Sequence, residues 1–338
     1  MRSLTIKEIE DIPKKRNVVS LFSGFGANTI GYHLAGLDVK VAVDYQSEVG
    51  KVYQSNHQKV RFIQKDVKDI KGDELLNECG LEKYELDILD ASPPSNFFSK
   101  RQNIPFHQRT DSLLLEIGRI IEDIMPKVFV INNDKKLGLG KSQLVLNEMI
   151  ELLKEIGYRV DFEILNARFY EVPQDKETLF IIGVRKDLRV KPVFPEALEY
   201  TISTQDAIED LMHIPMEYKT NRAREAYITK YFRPGITEEE IEDIMEANDI
   251  HVREANYKRD RWEEPYYELK KNFTRPIHPK MDRVLSIWEA MRIQTYPDGY
   301  RLSSNPSLNW QKICSSVSPH LMKHIAKVID NEILDKVL

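Results

Sequence analysis

The chain has 338 residues, 41% hydrophobic and 30% charged, with a formal net charge of −5 from 49 basic and 54 acidic side chains. Such a composition excludes a disordered chain and suits one large α/β domain, or a core domain with a smaller insertion. No apolar run approaches the ~18 residues of a membrane span, the charged N-terminus MRSLTIKEIEDIPKKR lacks a signal-peptide core, and two cysteines, Cys79 and Cys314, exclude a disulfide framework or a cysteine-rich zinc site. This cysteine usage fits a cytoplasmic protein. With acids in slight excess, any nucleic-acid binding must come from a local basic surface.

In chain order, NVVSLF (17–22) is a β-branched, apolar run that predicts a strand. It ends in the glycine-bearing loop SGFGAN and is followed by the amphipathic stretch TIGYHLAG, so the chain opens as a nucleotide-type βα unit. DVKVAVD (38–44) and KVRFIQKDV (59–67) predict two further strands, each ending in an acid. LDILDAS (86–92) predicts a fourth; the helical pattern LLLEIGRIIEDI then leads into a fifth, PKVFVIN (126–132). RVDFEILNA (159–167) and TLFIIGVRK (178–186) follow. Strands alternating with helices predict a parallel, doubly wound sheet.

After about residue 187 strand signals thin out, and order returns from Thr274 through SPHLMKHIAKVIDNEIL. The expected division is a 1–16 extension, a 17–190 core, a 191–275 inserted substrate-facing region and a 276–338 segment that rejoins the core. Residues 217–275 carry 12 basic and 14 acidic side chains, so they form no polycationic stripe. Within them HVREANYKRDRW interleaves Arg253, Lys258, Arg259 and Arg261 with aromatics, and is the first place to look for nucleic-acid contact.

FSGFGANTIGYHLAG raises a cofactor site. Gly24 and Gly26 allow close backbone approach to a ligand, and the following helix aims its N-terminal amides at it. Asp44, ending the second strand, is placed to hold ribose hydroxyls; Asp66, ending the third, to accept from an adenine amino group. A glycine turn alone is weak, but two strand-terminal acids in order favour a nucleoside cofactor in the sheet's crevice.

At this point the chain resembles the carbon-5 cytosine DNA methyltransferases, over nearly its whole length and in motif order. LFSGFGANTIGYHLAG resembles the first S-adenosylmethionine motif, and VDYQSEVGKVYQSNH the second, with Asp44 at its acid and Tyr45 at its stacking aromatic. KDV resembles the third, SPPSNFFSK the catalytic Pro-Cys loop, VINND the Glu-Asn-Val motif and YEVPQDKETLFIIGVR the Gln-x-Arg-x-Arg motif. HPKMDRVLSIWEAMRIQTYPDGY resembles the ninth motif, and KICSSVSP stands at the tenth. The resemblance implies a Rossmann-like, doubly wound methyltransferase core with an inserted target-recognition-like region. It also implies a pocket for S-adenosylmethionine or S-adenosylhomocysteine involving Phe22, Gly24, Gly26, Asp44, Tyr45, Asp66, Val67, Pro93 and Ser315.

Departures cluster at the reaction centre. Ser95 stands where the family has its nucleophilic cysteine, and a serine hydroxyl needs an adjacent base that the sequence does not supply. Asn132 replaces the proton-donating glutamate; Lys176 and Thr178 replace the two arginines. Cys314-Ser315 replaces Gly-Asn in the tenth motif. The expectation is a catalytically impaired or inactive homologue, a pseudoenzyme binding DNA, a partner methyltransferase or a defence protein. The alternative is an active restriction–modification methyltransferase with an atypical centre, or one completed by a second subunit. Methylation of an amino group is a third reading, since Ser-Pro-Pro also occurs in exocyclic-amine methyltransferases. Those place an aromatic directly after the prolines, where this chain has Ser95, with Phe97 two residues later. Lys100, Arg101 and Arg109 make the loop after Ser95 basic, for phosphate contact or for solvation. DNA is the expected partner and RNA stays open. Both cysteines, and His278 in RPIHP, are expected to serve packing.

Overall fold

The computed structural model describes residues 4–94, 113–140, 142–213, 238–247, 260–271 and 276–337. Helix α1 (Ile6–Glu10) starts at a capping box made by Thr5 and Glu8. Strand β1 (Lys15–Leu21) then enters the interior and turns at the glycines into α2 (Ala27–Leu34). The alternation continues through β2 (Leu37–Asp44), α3 (Ser47–Asn56), β3 (Arg61–Gln64), α4 (Gly72–Cys79) and β4 (Ile88–Ala91). Next come α5 (Leu113–Ile124), β5 (Val128–Asp134), α6 (Ser142–Ile156), β6 (Tyr158–Asn166), the short β7 (Gln174–Asp175) and β8 (Glu177–Arg185). Beyond them lie α7 (Thr204–Ile208), α8 (Glu238–Ala247), β9 (Tyr266–Tyr267), α9 (Ile287–Ile293), α10 (Pro306–Ser315) and α11 (Pro319–Glu332). Among the described residues no helix is long and apolar enough to cross a membrane.

The expected strands all form. The third is shorter than its apolar run suggests, because Asp66 leaves the ladder to cap a 3-10 turn over Val67–Asp69. The main sheet has seven strands in the order β3-β2-β1-β4-β5-β8-β6. Five pair in parallel, as predicted, but the expectation of a wholly parallel sheet is corrected at one edge. β8 runs antiparallel to both β5 and β6. The cause is connection length. A parallel return needs a crossover of a dozen or more residues, usually a helix. The chain leaves β6 at Asn166 and enters β8 at Glu177 with only a 3-10 turn and β7 between them, so it folds back as a hairpin.

Hydrophobic layers cover both sheet faces. On one side α5 presents Leu114, Ile117, Ile120, Ile121 and Ile124, the spacing of one helical stripe, to Leu89 and Ile131. On the other, Tyr32 of α2 and Leu321, Met322, Ile325 and Ile329 of α11 pack over Val18, Ile88 and Val130. A separate cluster joins Ile208, Trp262, Tyr266 and Leu269 to Leu285, Ala290, Trp310 and Cys314. Burial pushes the Cys314 thiol up to about 12 and that of Cys79 up to about 11, in keeping with packed rather than reactive cysteines.

α2 and α11 meet at a glycine. A Cβ added at Gly31 would lie 2.5 Å from the Met322 Cβ and 2.8 Å from the Pro319 carbonyl oxygen. Alanine gains about 1 kcal/mol of helix propensity over glycine, while overpacking a close contact costs about 1–3 kcal/mol. Both contacted atoms belong to or adjoin the backbone, so the clash should win. Gly31→Ala is expected to lower the melting temperature; an unchanged or higher value would show that the two helices separate freely.

Candidate cofactor and reaction site

The crevice is built where β1, β2 and β3 end. After β1 the backbone passes through the left-handed region at Phe22 (φ 56°), Gly24 (φ 55°) and Gly26 (φ 90°). Phe22 is a side-chain-bearing residue in a region that disfavours it, and packs against the core below the turn. At Gly24 a Cβ would meet nothing within 4 Å, so the turn faces open space there. At Gly26 a Cβ would lie 2.4 Å from His57 Nε2 and 3.1 Å from the Tyr300 hydroxyl, so glycine is required by fit as well as by φ. Behind the turn, the Tyr300 hydroxyl donates to the Phe25 carbonyl and lies 3.0 Å from His57 Nε2.

Asp44 is buried at the end of β2. Its two oxygens accept from the Gly24 amide (3.1 Å) and the Gln46 amide (3.0 Å), which orients the carboxylate across the turn and leaves lone pairs for a ligand. Tyr45 is 59% exposed, a ring available for stacking. One oxygen of Asp66 accepts from the Lys68 amide in capping the 3-10 turn. Val67 is buried in the core. Pro93 is buried and its carbonyl accepts from Asn133 Nδ2 at 2.9 Å. Ser315, exposed at the end of α10, donates weakly to the Lys312 carbonyl.

Three observations fit a nucleoside cofactor at this turn. Gly24 borders open space, the Ser23 hydroxyl is buried without a hydrogen-bond partner, and no side chain caps the first turn of α2, whose amides stay available to an acceptor. Lys312 was not foreseen. Burial lowers its pKa while Asp44 opposes that shift, which puts an ammonium near the acid of the crevice.

Ser95 lies outside the described residues, as do Lys100, Arg101, Arg109, Arg253, Lys258 and Arg259. Arg261 is described: it is exposed and paired with Glu264 at 3.0 Å. The shell around the reaction centre is well defined by its other members. β4 is wholly buried, yet carries Asp90. That carboxylate accepts from Ser20 Oγ (2.8 Å), Asn28 Nδ2 (3.0 and 3.1 Å) and the Tyr32 hydroxyl (3.3 Å). Burial pushes Asp90 up to about 6 against the pull of these donors. Asn28 Nδ2 also reaches Ser92 Oγ (3.0 Å) and Asn132 Oδ1 (3.2 Å), and Ser92 Oγ donates to Asn132 Oδ1 at 2.6 Å.

The network follows from strand period two. Ser20 and Asp90 are register partners on β1 and β4; Ser92 and Asn132 each lie two residues beyond positions on the same face. Asn28 and Tyr32 are one helical turn apart on α2. Asn132 therefore turns its carbonyl end toward two donors and keeps only an NH2 group for the cleft. Sequence reasoning singled out Asn132 but missed Ser20, Asn28, Asp90 and Ser92. The signal was an acid inside the apolar run LDILDAS.

Lys176 and Thr178 present no cation to this cleft. Lys176 Nζ donates to the Cys314 carbonyl (2.9 Å) and the Ser316 carbonyl (2.8 Å), where it closes the C-terminal end of α10, and burial lowers its pKa. Thr178 is buried in β8 between Asp134 and Leu165. Nearby, Gln174 Nε2 donates to Gln294 Oε1 at 2.5 Å, while Gln174 Oε1 accepts from the Leu269 amide. His278 is fully buried at a turn, where Nδ1 accepts from the Lys280 and Met281 amides, in agreement with packing.

Comparison with known proteins shows the family and the fold. A sequence profile described as C-5 cytosine-specific DNA methylase matches residues 16–331. Type II methyltransferase M.XorII of Xanthomonas oryzae pv. oryzae is 28% identical, with 91% of this chain and 82% of the relative covered. Type II methyltransferase M.FnuDI of Fusobacterium nucleatum is 27% identical, with 94% and 95% covered. Among solved structures, a prophage-encoded E. coli protein assigned as a DNA modification methyltransferase superposes with a TM-score of 0.71 at 21% identity, covering 95% of this chain and all of that one. A mutant of Spodoptera frugiperda DNMT2 gives 0.63 at 15% identity, covering 96% and 99%.

The Asp90 carboxylate has a testable signature. Its folded-state value, about 6, lies above the ordinary 3.8, so the folded protein holds this proton more tightly than the unfolded chain. Stability is thus lost as pH rises from about 4 to about 6, by up to about 3 kcal/mol for this group. Relative to wild type, Asp90→Asn should gain stability over that window and keep a constant offset above it. Parallel melting-temperature profiles from pH 4.5 to 7.5 would show that the carboxylate is not perturbed.

Proposed function

The chain belongs to the C-5 cytosine-specific DNA methylase family, and on that premise we propose that it is a DNA-binding protein of restriction–modification type, impaired in methyl transfer when it acts alone. S-adenosylmethionine is the family's methyl donor. Phe22, Gly24, Gly26, Asp44, Tyr45 and Asp66 would hold it in the crevice, with Val67, Pro93 and Ser315 at its edges and Lys312 as an added cation. Residues 191–275 would serve as the target-recognition region. Arg261, with Arg253, Lys258, Arg259 and the loop cations Lys100, Arg101 and Arg109, would contact the nucleic acid. The compartment would be the cytoplasm.

One observation carries the impaired reading: the side chain at the family's glutamate position is an amide whose carbonyl end is held by Ser92 and Asn28. An amide donates a hydrogen bond but cannot transfer the proton that drives attack on the ring. The alcohol of Ser95 needs a base to become nucleophilic, and the lysine at the first arginine position is committed to two carbonyls. Each lost acid–base role typically lowers rate by ~10²-fold or more. The relatives speak for a second reading. Those compared are named Type II methyltransferases, at nearly full-length coverage, which favours an active enzyme with an atypical centre or one completed by a second chain. A partner methyltransferase or defence protein would then supply the missing groups.

Two measurements test the proposal: the first the cofactor site, the second which of the two readings holds. S-adenosylmethionine should raise the melting temperature, by the equivalent of about 2.7 kcal/mol at a hundredfold excess over Kd, and Asp44→Ala should weaken the effect. The purified chain should transfer no labelled methyl group to duplex DNA. Incorporation that disappears in Ser95→Ala would overturn the impaired reading in favour of the active one.

A further inference from the structure

Behind the glycine turn, three side chains able to bind a metal converge. Glu10 ends α1, His33 lies in the last turn of α2, and His57 follows α3 as its C-cap. One ligand atom from each lies within 4.8 Å of the others. Both imidazoles are 1% exposed. His33 Nδ1 is 3.1 Å from Glu10 Oε1, an ion-pair distance, but neither nitrogen of His33 has a hydrogen bond of workable geometry.

The state of His57 is fixed by its surroundings. Its burial favours the neutral ring. The Tyr300 hydroxyl spends its proton on the Phe25 carbonyl, and must accept at its oxygen from His57 Nε2–H. The other nitrogen, Nδ1, is then a bare lone pair, buried and without a partner. An acceptor left unmet in a buried place is destabilising. A buried ring held by one hydrogen bond, close to a carboxylate and another imidazole, is the arrangement that divalent metal sites use.

We infer that Glu10, His33 and His57 form a site for a divalent transition metal, with zinc the best match to two imidazoles and a carboxylate. Typical bond lengths of about 2.0–2.2 Å require the three side chains to draw together by roughly an ångström. A water or the second Glu10 oxygen completes the shell. Lys59 Nζ, 3.6 Å from Glu10 Oε2, is the group the metal displaces. The role is structural: the metal ties α1 and the ends of α2 and α3 together behind the glycine turn.

Cobalt(II), a coloured substitute for zinc, tests this on the full-length protein after chelator treatment. One equivalent should give the visible bands of four-coordinate cobalt, zinc should bleach them, and either metal alone should raise the melting temperature. Glu10→Gln, half-buried and at the end of a short helix, should weaken binding by at least about tenfold with an unchanged circular dichroism spectrum, and His33→Gln should do the same. Absence of bands and of any thermal shift in the wild type overturns the site. Bands undiminished in both variants place the metal elsewhere and overturn it as well.

Discussion

A carboxylate buried in the central strand sets the terms for the whole reaction centre. Asp90 sits between β1 and β5 with no water to solvate it, so protein donors must do so. Ser20 comes from the neighbouring strand, and Asn28 and Tyr32 from the helix above. Once the Asn28 amide points its NH2 group at Asp90, the same group faces Asn132, and the orientation of Asn132 follows. Charge burial at one position thereby dictates which end of an amide looks into the cleft on the neighbouring strand. A glutamate at position 132 would bring a second carboxylate onto donors that already serve the first. The amide there is consistent with its neighbours, whatever it means for catalysis.

The cofactor side obeys a different constraint, that of close approach. Gly26 leaves no room for a side chain because His57 and Tyr300 press against it, and Tyr300 in turn holds the Phe25 carbonyl. The turn is shaped from behind by residues far along the chain and from the front by Asp44. Lys176 spends its charge away from the cleft. Its ammonium now closes the end of α10, where unpaired carbonyls attract a cation.

Much of this was legible in the sequence, for identifiable reasons. Strands buried on both faces read as continuous apolar runs, and the glycine turn with its following acids marks the crevice; all appear where expected. The reversal of β8 was not legible, because its run of Thr, Leu, Phe and Ile carries no direction; only the shortness of its link to β6 does. The Asp90 network was hidden because its members come from three strands and a helix. Finding it required placing LDILDAS and VINND side by side in register. Glu10, His33 and His57 belong to three separate helices and share no motif, so only folding brings them together.

The packing of α11 on α2 also bears on how the protein is made. Residues near position 31 wait for partners near position 322, and the sheet face over Val18, Ile88 and Val130 is only partly covered until the final helix exists. On the ribosome, the chain through Arg185 would emerge with the strands of the main sheet complete and one apolar surface partly bare. Such nascent chains invite chaperone capture. Premature termination shortly before α11 should therefore yield a sticky, protease-sensitive product, even though it retains every strand of the sheet.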